Sequence, residues 1–153
     1  MVITFFGHSN YKPEDNDEMQ LLNLLEDISK GEEIEFYLGG YGNFDGFAKS
    51  CAKLYKKTHP NAKLIFITPY LGKWLDDRKE ALEKEYDEIV YPNIENAIPK
   101  FAISKRNEWM VNQADYVIGY VQTHYGGAYN ALLCAHKHKK PYTNLYKGDY
   151  ELY

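Results

Sequence analysis

The sequence predicts an α/β fold in which an open, mostly parallel β-sheet carries helices on both of its faces. Short β-rich runs alternate with longer segments of helical period along the whole chain. Lys63–Thr68 and Tyr116–Val121 are almost continuously apolar, as expected for central strands that are covered on both sides. Such alternation implies right-handed crossovers between parallel strands. The length of 153 residues fits one domain, 1–153.

The amino-terminal part of the chain begins with two strand–helix units. Val2–Phe6 is an apolar run typical of a buried strand, and Glu18–Ile28 has helical period. Ile34–Leu38 is predicted as the second strand. The glycine-rich segment Gly39–Gly46 is interpreted as a turn, so the second helix is predicted only at Phe47–Tyr55.

The rest of the chain continues the same alternation. The predicted elements, in order, are strands at Lys63–Thr68, Glu88–Tyr91, Tyr116–Val121 and Tyr142–Leu145, and helices at Leu75–Tyr86, Ile103–Gln113 and Gly126–His138. Pro92–Lys100 contains two prolines and has no clear pattern.

Charge and cysteine usage narrow the classes of partner. The net charge is −4 and no basic stripe runs along the chain, so nucleic acid is not expected as a partner. Cys51 and Cys134 lie far apart without a Cys-x-x-Cys spacing, and neither a metal nor a cofactor is expected. Without a disulfide framework, a signal segment or a membrane-length apolar run, we expect a cytoplasmic protein with no membrane partner.

Candidate ligand-binding residues follow from the rule that ligands of open parallel sheets bind beyond the carboxyl ends of the strands. Four predicted strands end in segments that would line one rim of the sheet. The candidates there, with Arg106 from the helix before the fifth strand, are Gly7, His8, Gly39, Gly40, Gly42, Asp45, Pro69, Arg106, Gly126, Gly127, Ala128 and Asn130.

Two glycine turns, Gly39–Gly46 and Gly126–Gly127, each precede or open a predicted helix. Helix N-termini present unpaired N–H groups and a positive dipole end, and glycine lets an anion approach them. The spacing matches neither a dinucleotide fingerprint nor a P-loop, and a tight turn that needs flexible residues is the alternative. Asp45 would then hold a ribose hydroxyl pair or cap the helix.

Arg106 and Glu108 are the charged candidates near the second glycine turn. Arginine is the side chain best shaped for bidentate contact with phosphate, although Arg106 has an alternative role in a surface salt bridge with Glu108 or Asp115. Glu108 is either a solvated carboxylate or a site acid. Glu108 and Asp45 are therefore the candidate catalytic residues, should the protein be an enzyme.

The order of the motifs resembles a known superfamily. Phe-Phe-Gly-His, Gly-Gly-Tyr-Gly-Asn-Phe-Asp, Lys-Arg-Asn-Glu-Trp-Met-Val and Tyr-Gly-Gly-Ala-Tyr-Asn follow one another in the chain. This order resembles the SLOG (SMF/DprA–Lonely Guy) superfamily and, within it, the YpsA-like proteins. The resemblance implies a Rossmann-like fold, a nucleotide-type small-molecule ligand and a homodimer.

The resemblance carries over less well to catalysis. The glutamate of the Lonely Guy phosphoribohydrolases falls at Leu133, and the nucleophilic glutamate of the deoxyribosyltransferases falls near Ala131. Neither side chain can stabilise an oxocarbenium-like sugar. Ser9 also stands where the YpsA-like pattern has arginine. We therefore expect a nucleotide-binding or sensing module, with cleavage of an N-glycosidic bond as the alternative function.

Overall fold

A computed structural model describes residues 1–153 as a six-stranded sheet flanked by helices. The elements are β1 (Val2–Gly7), α1 (Asp17–Ser29), β2 (Glu35–Leu38), α2 (Gly42–Thr58), β3 (Lys63–Ile67), α3 (Lys73–Asp76), α4 (Lys79–Glu85), β4 (Glu88–Val90), α5 (Ala102–Gln113), β5 (Tyr116–Tyr120), α6 (Gly127–Lys137) and β6 (Tyr142–Asn144). A 3-10 turn at Pro99–Phe101 leads into α5.

All neighbouring strands are parallel, and their order is β4-β3-β2-β1-β5-β6. Ile3 of β1 lies opposite Phe36 of β2 on one side and Tyr116 of β5 on the other. The chain therefore winds outward from β1 to β4 and then returns to the other side of β1. This reversal places a topological switch point between β1 and β5, where open α/β sheets bind ligands. The predicted Rossmann-like α/β fold is confirmed.

Alternating side chains of the strands divide the core between the two faces of the sheet. Phe5 and Phe36 pack with Leu21 of α1 and Phe44 of α2 on one face. The opposite core contains Phe6, Ile65 and Val117 with residues of α5 and α6. Both faces are therefore covered by helices, which explains why the central strands are apolar throughout.

Helix α2 begins five residues before the predicted start, within the glycine-rich turn. The reason is Phe44, which is fully buried and packs against Gly7 at the end of β1. Burial of this ring outweighs the low helix propensity of Gly42 and Gly46, because tertiary packing commonly overrides propensity.

The predicted helix at Leu75–Tyr86 is divided into the short helices α3 and α4. Neither contains a buried residue. Trp74 and Leu82 pack only partly against the core, so burial contributes little to a continuous helix here, and short exposed helices are marginal on their own. Separately, none of the helices combines the length and apolar character that a membrane span requires.

Gly7→Ala is expected to destabilise the protein, since the added Cβ would overlap the ring of Phe44. Overpacking of this kind costs about 1–3 kcal/mol. Gly46→Ala is the matched control, because its Cβ would meet nothing within 4 Å inside a helix. That change is expected to stabilise by up to about 1 kcal/mol. Urea unfolding measures both, and equal effects of the two variants would contradict this account of the β1–α2 contact.

Candidate functional site

A cleft of about 590 Å³ opens at the carboxyl ends of β1, β2 and β5. Its walls come from the end of β1 and the loop after it, the start of α2, the middle of α5 and the loop that leads into α6. The cleft thus lies at the switch point of the sheet, where ligands of this architecture bind.

Most of the candidate residues line this cleft. Those that do are Gly7, His8, Gly39, Asp45, Arg106, Gly126, Gly127 and Ala128. The candidates that lie outside its lining are Gly40, Gly42, Pro69, Asn130 and Glu108. Their roles, inside and outside the cleft, stay predictions.

Arg106 is the most deeply buried charged residue of the cleft. Its side chain is only 4% exposed and extends from α5 across the carboxyl ends of β2 and β3. Nη1 donates to the carbonyl oxygen of Ile67 at 2.8 Å and to that of Gly39 at 3.3 Å. Nε donates to Oδ1 of Asn107 at 3.1 Å. Three acceptors therefore fix the plane of the guanidinium group.

The positive charge of Arg106 has no close counter-ion. No carboxylate lies within ion-pair distance of it. Nη2 has no hydrogen-bond partner in the chain, yet it is not a buried unsatisfied atom, so it keeps some accessible surface in a residue that lines the cleft. Burial lowers the pKa of Arg106, and Asp45 acts in the opposite direction. A desolvated cation with a free donor favours an anion in the cleft.

The amino terminus of α6 supplies further donors at the opposite wall. Asn130 is the first residue of this helix whose N–H reaches a carbonyl oxygen one turn earlier, that of Gly126. The N–H groups of Gly127, Ala128 and Tyr129 precede it, and no side chain caps this helix. Partial positive charge therefore faces the cleft from α6 as well as from Arg106.

Packing requires two of the glycines of the first turn, Gly40 and Gly42. A Cβ at Gly40 would lie 2.6 Å from the ring of Phe66, and one at Gly42 would lie 2.8 Å from the Cα of Ser9. The N–H of Asn43 at the start of α2 is also taken, because it donates to the carbonyl oxygen of Ser9. The first glycine turn is thus built into the fold around it.

The second glycine turn is open. A Cβ at Gly126 or Gly127 would meet nothing within 4 Å. Gly126 has a φ of 94°, which favours glycine, but Gly127 has neither a crowded neighbour nor a positive φ. Nothing within the chain therefore requires glycine at position 127, and the space beside it is open.

Asp45 is placed for both of its predicted roles, contact with the start of α2 and contact with a ligand. Its Oδ2 accepts the N–H of Tyr41 at 3.0 Å, which closes the start of α2. The residue also lines the cleft, and Oδ1 has no partner in the chain. Burial raises the pKa of Asp45 to about 6, although the Tyr41 N–H and Arg106 both favour the charged form.

His8 connects two of the loops that surround the cleft. Its Nε2 accepts the N–H of Gln122 at 2.9 Å, so the proton of the neutral ring is on Nδ1. Burial lowers the pKa of His8, which favours this neutral form. His8 thereby ties the loop after β5 to the end of β1.

Glu108 belongs to a separate hollow of about 300 Å³ between α5 and α6. Its carboxylate is half-exposed and pairs with Lys105 at 3.3 Å. Ala131, near which the resemblance to the deoxyribosyltransferases would place a glutamate, is buried in the core.

A larger hollow of about 810 Å³ lies elsewhere, between the start of α1 and the segment after β6. Its walls carry the carboxylates of Glu14, Asp15 and Asp17. No buried cation lines it, and it lies away from the amino terminus of α6. Its size therefore does not make it the stronger candidate for an anion.

Sequence reasoning did not select several side chains of the cleft. Tyr41, Ile103, Asn107, Gln122 and Tyr125 also line it. Asn107 follows Arg106 directly, so the pairing of their side chains could have been suspected from the sequence. The two tyrosines carry no comparable signal, because the chain has fifteen of them.

Comparison with known proteins identifies the fold. No family model matches the chain. YoqJ, an uncharacterized SPbeta prophage-derived protein of Bacillus subtilis (strain 168), is 28% identical, with 77% of this chain and 79% of YoqJ covered. DNA processing protein A (DprA) of Helicobacter pylori superposes with a TM-score of 0.64 at 18% identity, covering 99% of this chain and 67% of that one.

DprA of Streptococcus pneumoniae superposes with a TM-score of 0.61 at 13% identity, covering 98% of this chain and 52% of that one. The chain has the fold of DprA. It spans about half the length of the pneumococcal protein. The expected resemblance to the SMF/DprA–Lonely Guy superfamily is confirmed at the level of the fold, whereas the YpsA-like branch and the homodimer stay predictions.

The expectation that nucleic acid is not a partner is wrong. DprA of Helicobacter pylori, which has this fold, binds single-stranded DNA. The expectation depended on the net charge of −4, and total charge says little about the potential inside one cleft. Arg106 and the amino terminus of α6 create local positive charge in an acidic chain.

Replacement of Asp45 by asparagine tests the electrostatics of the cleft without a ligand. Between the usual pKa of 3.8 and the value of about 6, native Asp45 keeps a proton that the unfolded chain has lost. The free energy of unfolding of the wild type should therefore fall as the pH rises through this window, by up to about 3 kcal/mol.

The asparagine side chain does not titrate, so the Asp45→Asn protein should gain stability relative to the wild type between about pH 4 and pH 7. Urea unfolding at several pH values measures the difference. A difference that stays constant with pH, or that changes in the opposite direction, would contradict the burial of this carboxyl.

Proposed function

We propose that the cleft binds the phosphate group of a nucleotide between the guanidinium group of Arg106 and the first N–H groups of α6. The observation that carries the proposal is the buried guanidinium with a free Nη2 and no carboxylate at ion-pair distance. Guanidinium is planar and its donors match the oxygens of phosphate, which a helix amino terminus also favours.

Gly127 supports the same position for the anion. Phosphate oxygens that accept hydrogen bonds from a helix amino terminus must come close to the backbone. A side chain at position 127 would project into that space, and nothing within the chain requires glycine there. The open second turn fits a ligand better than it fits packing.

Asp45 supports a nucleotide over free phosphate. Its unpaired Oδ1 lies in the same cleft as Arg106, so it can accept hydrogen bonds from the hydroxyl groups of a sugar. A nucleotide phosphate has two sources, a free nucleotide and a single strand of DNA. The single-stranded DNA binding of the Helicobacter pylori protein makes the strand a source to be tested alongside free nucleotides.

The proposed function is binding rather than turnover, because the resemblance would place the catalytic glutamates of the similar enzymes at Leu133 and near Ala131, which are apolar. Cleavage of an N-glycosidic bond remains the second candidate function on one observation. Asp45 is a carboxyl of the cleft whose pKa is raised to about 6, as in many general acids. Release of a free base from nucleoside monophosphates, lost in Asp45→Asn, would support catalysis over binding alone.

Arg106→Gln is expected to weaken binding of a nucleotide by about 10- to 100-fold, since hydrogen bonds to charged groups contribute about 1.5–3 kcal/mol each. Calorimetry with AMP, dTMP and a short oligothymidylate measures the affinities. It also distinguishes a free nucleotide from single-stranded DNA as the source of the phosphate. The matched control is Arg78→Gln, because Arg78 lies over Trp74 outside the cleft. Binding of none of these probes to the wild type, or equal binding to Arg106→Gln, would contradict the proposal.

Gly127→Ala should separate binding from stability. The free energy of unfolding should stay unchanged or rise by up to about 1 kcal/mol, since alanine favours the helix and meets no neighbour. Nucleotide affinity should fall at least several-fold, because the methyl group blocks the approach of phosphate. The comparison variant is Gly46→Ala, which has an equally open Cβ position but lies outside the cleft. Equal nucleotide affinity of Gly127→Ala and Gly46→Ala would contradict the placement of the phosphate beside Gly127.

A further inference from the structure

Two exposed tyrosine side chains stand on the walls of the cleft. Tyr41 lies directly before α2 and Tyr125 directly before Gly126. Each is 76% exposed, and both line the cleft. Aromatic rings on the walls of a cleft suit ligand binding, because each exposes apolar area that contact with a ligand would bury.

These two rings have no partners within the chain. Neither takes part in an aromatic pair, and neither hydroxyl group makes a hydrogen bond, whereas most of the other tyrosines have one or the other. The neighbouring Tyr120, for example, packs with Tyr11 and Tyr146. The two unpaired rings therefore differ from the tyrosines that pack on one another.

The backbone beneath each ring is held in place. On one side, Asp45 accepts the N–H of Tyr41. On the other side, the hydroxyl of Thr123 donates to the carbonyl oxygen of Tyr125 at 2.8 Å. The hydroxyl of Tyr150 donates to the carbonyl oxygen of Thr123 at 2.6 Å, so the carboxyl-terminal segment also anchors this loop. The rings thus extend from ordered backbone, which lowers the entropic cost of using them for binding.

The sheet places the two tyrosines on opposite sides of β1. Tyr41 follows β2 and Tyr125 follows β5, and both strands pair with β1. Strands separated by one neighbour are roughly 10 Å apart. Arg106 lies deeper in the same cleft, at the carboxyl ends of β2 and β3. A ligand held by its phosphate at Arg106 would extend outward between the two rings.

We propose that Tyr41 and Tyr125 form a base-stacking subsite, which rests on the proposed function of the cleft. The flat faces of the rings stack on the nucleobase of the nucleotide whose phosphate Arg106 holds. Stacking accepts any base, because every base has a π-face, and purines are favoured over pyrimidines by their larger area. The ligand class is thus a nucleotide with its base attached, rather than a sugar phosphate.

The test compares AMP with ribose 5-phosphate, which carries the same sugar phosphate without a base. The wild type should bind AMP about 5- to 150-fold more tightly than ribose 5-phosphate. Tyr41→Leu and Tyr125→Leu should each reduce this ratio, and the double variant should abolish it. Tyr→Phe at either position should preserve it, since the ring remains. Affinity for ribose 5-phosphate should be the same in all variants.

Tyr153→Leu is the matched control, because this tyrosine is 74% exposed and lies outside the cleft. Unchanged AMP affinity in the double leucine variant, or equal affinity of the wild type for AMP and ribose 5-phosphate, would overturn the subsite while leaving the phosphate site intact. If only oligothymidylate binds, the same leucine variants must weaken it, or the subsite is overturned. If no probe binds the wild type, the proposed function fails and the subsite fails with it.

Discussion

The guanidinium group of Arg106 is the charged centre around which the rim of the sheet is organised. It joins α5 to the carboxyl ends of two strands, since one nitrogen donates to the carbonyl oxygens of both Gly39 and Ile67. The contact also favours glycine at position 39, because a Cβ there would lie only 3.1 Å from Nη2. Burial of a cation is costly, and the backbone carbonyls offset part of this cost. The carbonyl groups are neutral, so the positive charge of Arg106 still acts on the cleft.

The two glycine turns differ in what they do for the molecule. In the first turn the glycines permit close packing, of Gly40 with Phe66 and of Gly42 with Ser9. In the second turn a Cβ at Gly126 or Gly127 would meet nothing within 4 Å. One sequence signal therefore has two physical causes, and only the second turn leaves donors and space for a ligand. The first turn contributes to the cleft through Tyr41 and Asp45 instead.

The order of the elements and the place of the cleft could be predicted because both follow from periodicity and from the geometry of parallel sheets. The early start of α2 could not, since it depends on burial of Phe44 against Gly7, a contact between residues distant in sequence. The division of Leu75–Tyr86 into two short helices without a fully buried side chain reflects sparse packing, which hydrophobic pattern alone does not reveal. Tyr41 and Tyr125 likewise differ from most other tyrosines only in lacking partners, which is a property of the folded chain.

Charge shows the same limit of sequence reasoning. The net charge of −4 describes the whole surface, whereas binding depends on which charges are buried together. Arg106 could be selected as a phosphate ligand from its chemistry, but its lack of a carboxylate partner is a property of the folded chain. The carboxylate Glu108, which is close to it in sequence, pairs with Lys105 outside the cleft.

The most direct test of an anion held between Arg106 and α6 is a ¹H–¹⁵N NMR titration of the protein with AMP. The account predicts that the largest shifts fall on the backbone amides of Gly127 and Ala128 and on the side-chain N–H groups of Arg106. Shifts confined to the acidic hollow around Asp15 and Asp17, with none at Gly127 or Arg106, would contradict it.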